Sequence, residues 1–457
     1  PVRLAGGLDA RLRLDKSAQA RALACLERFG QRLRGMPSAA TRVVGTNTLR
    51  RARNANKFLR AAERALGHAI EVISGQEEAR LIYQGVARHA GDDGRRLVVD
   101  IGGGSTEFII GEGSVPRRME SLHIGCVEMS RRYFPKGELS TDAFDEALTA
   151  AHQELQTIAA PFRRLGWQTV IGSSGTIRAV AAVLRALGWM EDAVTPALLV
   201  RLQEQLIAAG NTRQLNLPDL NAERVPVFAG GFVILRASME ALGIERLVAS
   251  DGALREGLLY DLVGRLGEDD VRRGTIASLT ERYHVDIAQA ARVERTALAL
   301  FEQAREAWRF TDEDGHALAW AARLHEIGLA IAHTKYHKHG AYLVEHSDLP
   351  GFSYQEQRLL AALIGGHRRR LSMEVFEGLP KPQARTARRA CVLLRLAVLL
   401  HRARIDQELP AIDIGVHKRK VRLRFPRNWL RRQPLTMADL AQEAKYLDAV
   451  GYRLDYA

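Results

Sequence analysis

Leu97-Val98-Val99-Asp100-Ile101-Gly102-Gly103-Gly104-Ser105-Thr106-Glu107-Phe108-Ile109-Ile110-Gly111 reads as a strand, a triple-glycine turn and a second strand. Val98, Val99 and Ile101, then Phe108, Ile109 and Ile110, are β-formers bounded by glycine. Three glycines let the backbone approach a ligand closely and turn its N–H groups towards an anion. Asp100 and Glu107 flank the turn, so two carboxylates sit beside an anion-binding loop. Such a pair needs a cation between itself and a phosphate, and Mg²⁺ is the ordinary choice. A dinucleotide-binding fold would place a helix after the glycines. Here a second strand follows, so the loop is expected at the tip of a hairpin.

The whole chain has 457 residues, enough for two to four domains with large cores. Its 46% apolar and 26% charged content is ordinary for a globular protein, but its net charge of +13 is not, and favours an acidic partner. Cys25, Cys126 and Cys391 are scattered, without metal spacing or a disulfide framework, which points to a reducing compartment. No apolar run reaches membrane-spanning length without a charge. The chain opens at Pro1 without a signal peptide, and an N-terminal segment missing from the sequence is expected.

Working outward, Thr41–Thr46 reads as a strand and Thr46-Asn47-Thr48 as the start of a helix reaching Leu66. Arg50, Arg51 and Arg53 in its first turns oppose the helix dipole, so an anion is expected to dock there, with Arg50 the best candidate. Ser74 and Glu77 have the spacing of a capping box. That assigns Glu77 to structure and leaves Glu78 free as a candidate general base for water. His89–Arg96 is a polar, glycine-containing linker and a candidate hinge. Pro161 is expected to end the long amphipathic helix that starts at Thr141. Thr169-Val170-Ile171 leads through Gly172-Ser173-Ser174-Gly175-Thr176 into a helix, the grammar of an anion cradle. The same grammar recurs at Arg246–Ala249 and Ser250-Asp251-Gly252. Arg224 precedes an apolar segment and could reach a cleft.

Beyond Arg272 strand signals give way to helical periodicity. The helices carry His325-Glu326, His333, His337, His339, His346 and His367. These resemble the histidines of HD-type metal phosphohydrolases, which need a His, a His-Asp pair and a later Asp. Here the pair is His325-Glu326, the preceding helix offers Arg292 and Glu294, and Asp406 comes only after the last helix. A degenerate, structural or anion-contacting helical domain is expected. From Leu409, Val421, Leu423 and Phe425 alternate with Lys420, Arg422 and Arg424, a strand with one apolar and one basic face. Arg368 and Arg369 add a second basic patch. Repeats, low-complexity tracts and an aromatic stacking platform for single-stranded nucleic acid are absent from the sequence.

Gly45-Thr46-Asn47-Thr48-Leu49-Arg50, Ile73 to Arg80, Asp100 to Glu107, Gly172 to Thr176 and Ser250 to Gly257 together resemble the exopolyphosphatase/guanosine pentaphosphate phosphohydrolase family. The helical half is similar to that of the longer bacterial exopolyphosphatases. The resemblance implies an α/β actin-like (ribonuclease H-like) two-domain core, followed by an all-α HD-like domain and a small α+β unit. The boundaries expected are 1–81, 82–265, 272–408 and 409–457. It implies Glu78 as catalytic base and Asp100 and Glu107 as Mg²⁺ or water-positioning acids, with K⁺ a further candidate cation. Gly102, Gly103, Gly104, Ser105, Thr106, Gly172, Ser173, Ser174, Gly175 and Thr176 would cradle phosphate, and Arg50 and Arg224 would hold phosphoryl oxygens. The family opens with an Asp-x-Gly-Ser-Asn-Ser phosphate loop that these residues do not contain. The activity expected is Mg²⁺-dependent release of the terminal phosphate of inorganic polyphosphate, with Arg368, Arg369, Lys420, Arg422 and Arg424 lining a channel for the chain. The alternatives are guanosine pentaphosphate 5′-phosphohydrolase and a non-catalytic polyanion- or nucleic-acid-binding sensor. A homodimer in the cytoplasm, free or peripheral to the inner membrane, is expected.

Overall fold

The computed structural model describes residues 4–89, 94–267, 269–406 and 409–457, and divides into two compact units, Pro1–Asp270 and Val271–Ala457. Of the expected hinge at 89–96, residues 90–93 lie outside the described residues.

In the first unit, α1 (Lys16–Leu33) starts at Asp15, whose carboxylate accepts the Ala18 N–H at 2.7 Å, the ordinary N-cap bond. β1 (Val44–Gly45) leads into α2 (Asn47–Arg51) and α3 (Ala55–Leu66). The single helix expected over Thr46–Leu66 is thus broken. Asn54 bonds the N–H and the carbonyl of Leu14 at 2.9 and 3.0 Å, and Arg53 N–H donates to Leu12 at 2.8 Å. These tertiary bonds replace one helical turn. β2 (Glu71–Val72) pairs in parallel with β1, and α4 (Gly75–Ala87) follows.

β3 (Arg95–Ile101) and β4 (Thr106–Glu112) form the expected hairpin, with Asp100 opposite Glu107 and Ile101 opposite Thr106. β5 (Val115–Leu122) continues it antiparallel. After α5 (Cys126–Tyr133) and α6 (Thr141–Leu165), β6 (Thr169–Ser173) joins β3 in parallel, placing Ser173 beside Asp100. α7 (Ser174–Ala186), α8 (Pro196–Ala209) and α9 (Val225–Leu242) precede β7 (Val248–Ala249) and α10 (Leu254–Leu266). The sheet order is β5-β4-β3-β6-β7. Phe108, Ile109 and Ile110 are all buried, so β4 is covered on both faces.

α6 runs through Pro161, where it was expected to stop. Phe162 is fully buried and meets Phe108 edge-on at 6.4 Å, pinning the last turn to the sheet. A helix-interior proline costs roughly 3 kcal/mol. Losing a buried phenylalanine costs about 3–5 kcal/mol, so packing wins. α9 is the one helix among the described residues with the length and mean hydropathy (1.5) of a membrane span, and 67% of it is buried inside this unit.

The second unit contains α11 (Val271–Arg282), α12 (Ile287–Trp308), α13 (Asp312–Leu324), α14 (Tyr336–His346), α15 (Tyr354–Gly366) and α16 (Lys381–Leu400). β8 (Asp413–His417), β9 (Lys420–Arg424), α17 (Pro434–Asp448) and β10 (Arg453–Tyr456) follow, with sheet order β10-β9-β8. Trp308 and Leu393 share one apolar core with Val421, Leu423, Leu447 and Leu454, so residues 409–457 pack on the helices.

Candidate active site

A cleft of about 560 Å³ opens in the first unit, built from the end of β3, the glycine turn after it and the starts of α2, α4, α5, α7 and α10. Glu78, Asp100, Gly102 to Ser105, Ser174, Gly175, Thr176 and Arg224 line it, as the sequence suggested. Arg50, Thr106, Glu107, Gly172 and Ser173, expected at the site, do not line it. Thr46, Asn47 and Thr48, part of the motif ending at Arg50, also line it, as do Cys126, Val127, Arg178 and Arg255, which the sequence does not mark as site residues. Arg178 and Arg255 each follow a Ser/Gly turn at the start of a helix. That position was the available signal.

The glycine turn is closed by Gly102 N–H donating to Ser105 O at 2.9 Å. The Gly102 and Gly103 carbonyls accept the Cys126 and Val127 N–H groups at 3.0 and 3.1 Å, seating the turn on the first turn of α5. None of Gly102, Gly103 and Gly104 has positive φ. Their use is close approach. The second turn carries real backbone strain: Ser174, at the start of α7, has φ +92°. Gly175 is needed for Arg224, because a Cβ there would lie 1.6 Å from an Arg224 Nη atom.

Three acids gather at this end of the sheet. Asp100 and Glu107 are direct cross-strand partners, and Glu78 reaches them from the first turn of α4. Burial raises the Glu78 carboxyl, and Asp100 adds to this. Arg50, whose Nη1 donates to it at 3.0 Å, pulls the other way. Glu107 is held well above the carboxylate range by burial and by the charges of Glu78 and Asp100, although Ser105 and Ser121 bond it, Ser121 at 2.9 Å. Burial pushes Asp100 up to about 6, moderated by the Ser173 hydroxyl and Arg178. Arg50 Nη1 also donates to Ile73 O at 2.8 Å. Its Nη2 and the Asn47 amide nitrogen are buried without a protein partner.

Ser74 Oγ accepts the Glu77 N–H at 3.0 Å, the first half of the expected capping box. The Glu77 carboxylate is taken by Arg80, whose guanidinium grips both oxygens at 2.7 Å. Glu77 and Glu78 are thereby separated, as expected, by a stronger tie than a cap.

In the second unit His325, His337 and His367 are buried together, with ring centroids 5.4 Å (His325–His367) and 6.1 Å (His337–His367) apart. Nδ1 of His325 and of His367 bonds a carbonyl of its own helix, Ala322 at 2.7 Å and Ile364 at 2.6 Å. Burial lowers all three pKa values, His337 to about 4. Among the described residues no group of three His, Cys, Asp or Glu side chains is placed to hold a metal. His346 lies on Tyr342 and His333 is exposed.

Lys420, Arg422 and Arg424 line an open cavity of about 470 Å³ on the exposed face of the small sheet. That face is not purely basic: Asp413 is opposite Arg424, Asp455 is opposite Arg422, and both line the same cavity. β9 itself carries no acid, as its sequence shows, and the acids come from neighbouring strands. Arg368 lies 4.3 Å from the Tyr336 ring, and neither it nor Arg369 lines this cavity.

Acids and arginines around glycine-rich turns at the carboxyl ends of β-strands make a site for phosphoryl transfer. The chain belongs to the Ppx/GppA phosphatase family, whose model matches residues 1–266, while residues 271–444 match Ppx/GppA phosphatase, domain III. It is 41% identical over 452 residues to the guanosine-5′-triphosphate,3′-diphosphate pyrophosphatase of Aeromonas hydrophila, covering 99% of this chain and 91% of that one. The same-named Vibrio cholerae protein is 40% identical over 457 residues, with 99% and 91% covered. Among solved structures, an exopolyphosphatase-like protein matches at TM-score 0.52 and 26% identity, over 58% of this chain and 90% of that one. A Cytophaga hutchinsonii exopolyphosphatase shares the fold at TM-score 0.50 and 24% identity, over 57% and 86%.

Proposed function

We propose that the chain hydrolyses guanosine 5′-triphosphate 3′-diphosphate, releasing the terminal 5′-phosphate. What carries this reading is the near end-to-end similarity, at about 40% identity, to proteins named for that nucleotide, combined with Glu78 at the cleft. It reverses the order of the two activities expected from sequence, where the basic tail had favoured polyphosphate.

Glu78 takes a proton from water as the water oxygen attacks the terminal phosphorus. The bond from that phosphorus to the bridging oxygen breaks, and orthophosphate and guanosine 5′-diphosphate 3′-diphosphate leave. The Gly102–Ser105 and Ser174–Thr176 turns offer backbone N–H groups to phosphoryl oxygens, and Arg224 offers charge. Asp100 on the cleft wall, with Glu107 buried behind it, suits Mg²⁺, which binds through one or two carboxylates and otherwise keeps waters and substrate oxygens. Burial raises both carboxyls, and the charges of Glu78 and Asp100 raise Glu107 further, so the pair is short of positive charge. Bound there, Mg²⁺ would supply neutralisation of the phosphoryl charge.

The test is phosphate release from guanosine pentaphosphate and from long-chain polyphosphate, with Mg²⁺, on the parent and on Glu78→Gln. Rapid release from the nucleotide that vanishes in the variant supports the reading. Release from polyphosphate alone returns the chain to the other branch.

A further inference from the structure

A second group of buried charges lies behind the catalytic turn and takes no part in the chemistry above. Arg80 grips Glu77 at 2.7 Å with two nitrogens and also bonds Asp261 of α10. Arg42, just before β1, bonds the other Asp261 oxygen, lies 3.1 Å from Glu71 on β2 and 3.8 Å from Glu77. Arg265 bonds Asp261 at 3.0 Å. The side chains of Arg42, Glu77, Arg80 and Asp261 are at most 4% exposed.

Stability does not explain this arrangement. Desolvating so many charges is expensive, and apolar replacements of buried ion pairs are often neutral or stabilising. Geometry does explain it. Glu77 and Glu78 are adjacent on the first turn of α4, and the clamp holds one while Arg50 holds the other. α4 and α10 also touch backbone to backbone. A Cβ on Gly85 would meet Ala253 O at 2.1 Å, and one on Gly257 would meet Leu81 O at 1.8 Å. The start of α10 lines the cleft through Leu254 and Arg255, so one helix touches both the substrate space and the clamp.

We infer that Asp261, Arg80 and Arg42 are positioning residues that fix the Glu78 carboxylate relative to the cleft. The inference rests on Glu78 being the base. Asp261→Asn is close in shape and removes one charge. Arg80→Lys keeps the charge but loses the fork that spans Glu77 and Asp261. Both variants are expected to lower kcat on guanosine pentaphosphate by about 10- to 100-fold, the scale of a misplaced catalytic group, with KM little changed. In Arg80→Lys the acid limb of kcat moves to higher pH, because Glu78 slips from the arginine that lowers its pKa. Asp261→Glu recovers part of the rate. Parental kcat and pH profile in Arg80→Lys, with only a lowered Tm, would make the network a structural tie and overturn the inference. A parent inactive on both phosphoanhydride substrates sinks the reading of the site instead. The clamp is then judged from the crystal structure of Arg80→Lys: an Arg50–Glu78 pair still at its parental distance overturns it, and a displaced pair supports it.

Discussion

Two nests of buried carboxylates flank the first turn of α4, and they are balanced differently. Behind the turn, Glu71, Glu77 and Asp261 meet Arg42, Arg80 and Arg265. Burial works to raise Asp261, yet Arg80, Arg42 and Arg265 outweigh it and hold that carboxyl below its ordinary range. In front of the turn, Arg50 bonds Glu78 and Arg178 acts on Asp100, Glu107 is bonded by the Ser105 and Ser121 hydroxyls, and all three pKa values are raised. A nest neutralised by its own protein is finished when the chain folds. A nest left short of positive charge is completed by what binds. Charge balance, more than burial, separates the structural acids from the functional ones.

Swapping one acid in each nest tests this most severely. Glu78→Gln is expected to lower kcat about 1,000-fold, within the range for losing a general base, while thermal stability holds or rises. Glu77→Gln leaves buried arginines uncompensated and is expected to destabilise by roughly 3–5 kcal/mol. Paired kcat and chemical-denaturation measurements check both. A Glu77→Gln protein as stable as its parent would erase the distinction.

A smaller loss is expected across the cleft. Gly175→Ala places a methyl where Arg224 lies, so the guanidinium must move. kcat/KM should fall about 100-fold, as when one preorganised donor is removed. Arg224→Met should do the same, and the double variant should be no worse than either, since both delete one contact. Additive losses would mean that Gly175 acts through something other than Arg224.

Much of this cleft was legible in advance because its parts are local. The Asp100–Glu107 hairpin, the Ser173–Thr176 turn and the cap at Ser74 are each specified by residues within a few positions of one another. What was not legible is the set of partners that meet only in the fold. Arg42 and Asp261 are 219 positions apart and carry no shared motif. Asp413 and Asp455 stand opposite Arg424 and Arg422 on other strands. The helix break at Asn54 and the continuation through Pro161 are hidden from local sequence for the same reason, since bonds to Leu14 and burial of Phe162 override local preference.

Proton linkage gives a third test. Asp100 has a folded-state pKa of about 6 against an ordinary 3.8. A raised carboxyl favours the folded state fully below its unfolded pKa, and that contribution is lost as pH rises through about 6. Asp100→Asn, always neutral, avoids the loss. It should be more stable than the metal-free parent at pH 8 by up to about 3 kcal/mol, and no more stable near pH 3. Mg²⁺ should raise the Tm of the parent at pH 8 and leave Asp100→Asn unmoved. An equal Mg²⁺ response in both would remove Asp100 from the metal site.

The smallest effect belongs to the basic face of β9, where the logic of the balanced nest recurs on an exposed surface. Lys420, Arg422 and Arg424 look like a polyanion track in sequence, but Asp413 and Asp455 stand opposite two of them and the face is open to water. Exposed charges of this kind exchange little energy with one another, about 0–1 kcal/mol per pair, and are screened by salt. Reversing Arg422 and Arg424 to Glu should therefore leave hydrolysis of guanosine pentaphosphate within about 5-fold of the parent, since 1 kcal/mol corresponds to roughly a 5-fold change. If the face binds long anionic chains, the same variant should lose affinity for long-chain polyphosphate, and the loss should shrink as salt rises. A large fall in nucleotide hydrolysis would instead tie this strand to the catalytic cleft, and the face could no longer be treated as a solvated surface.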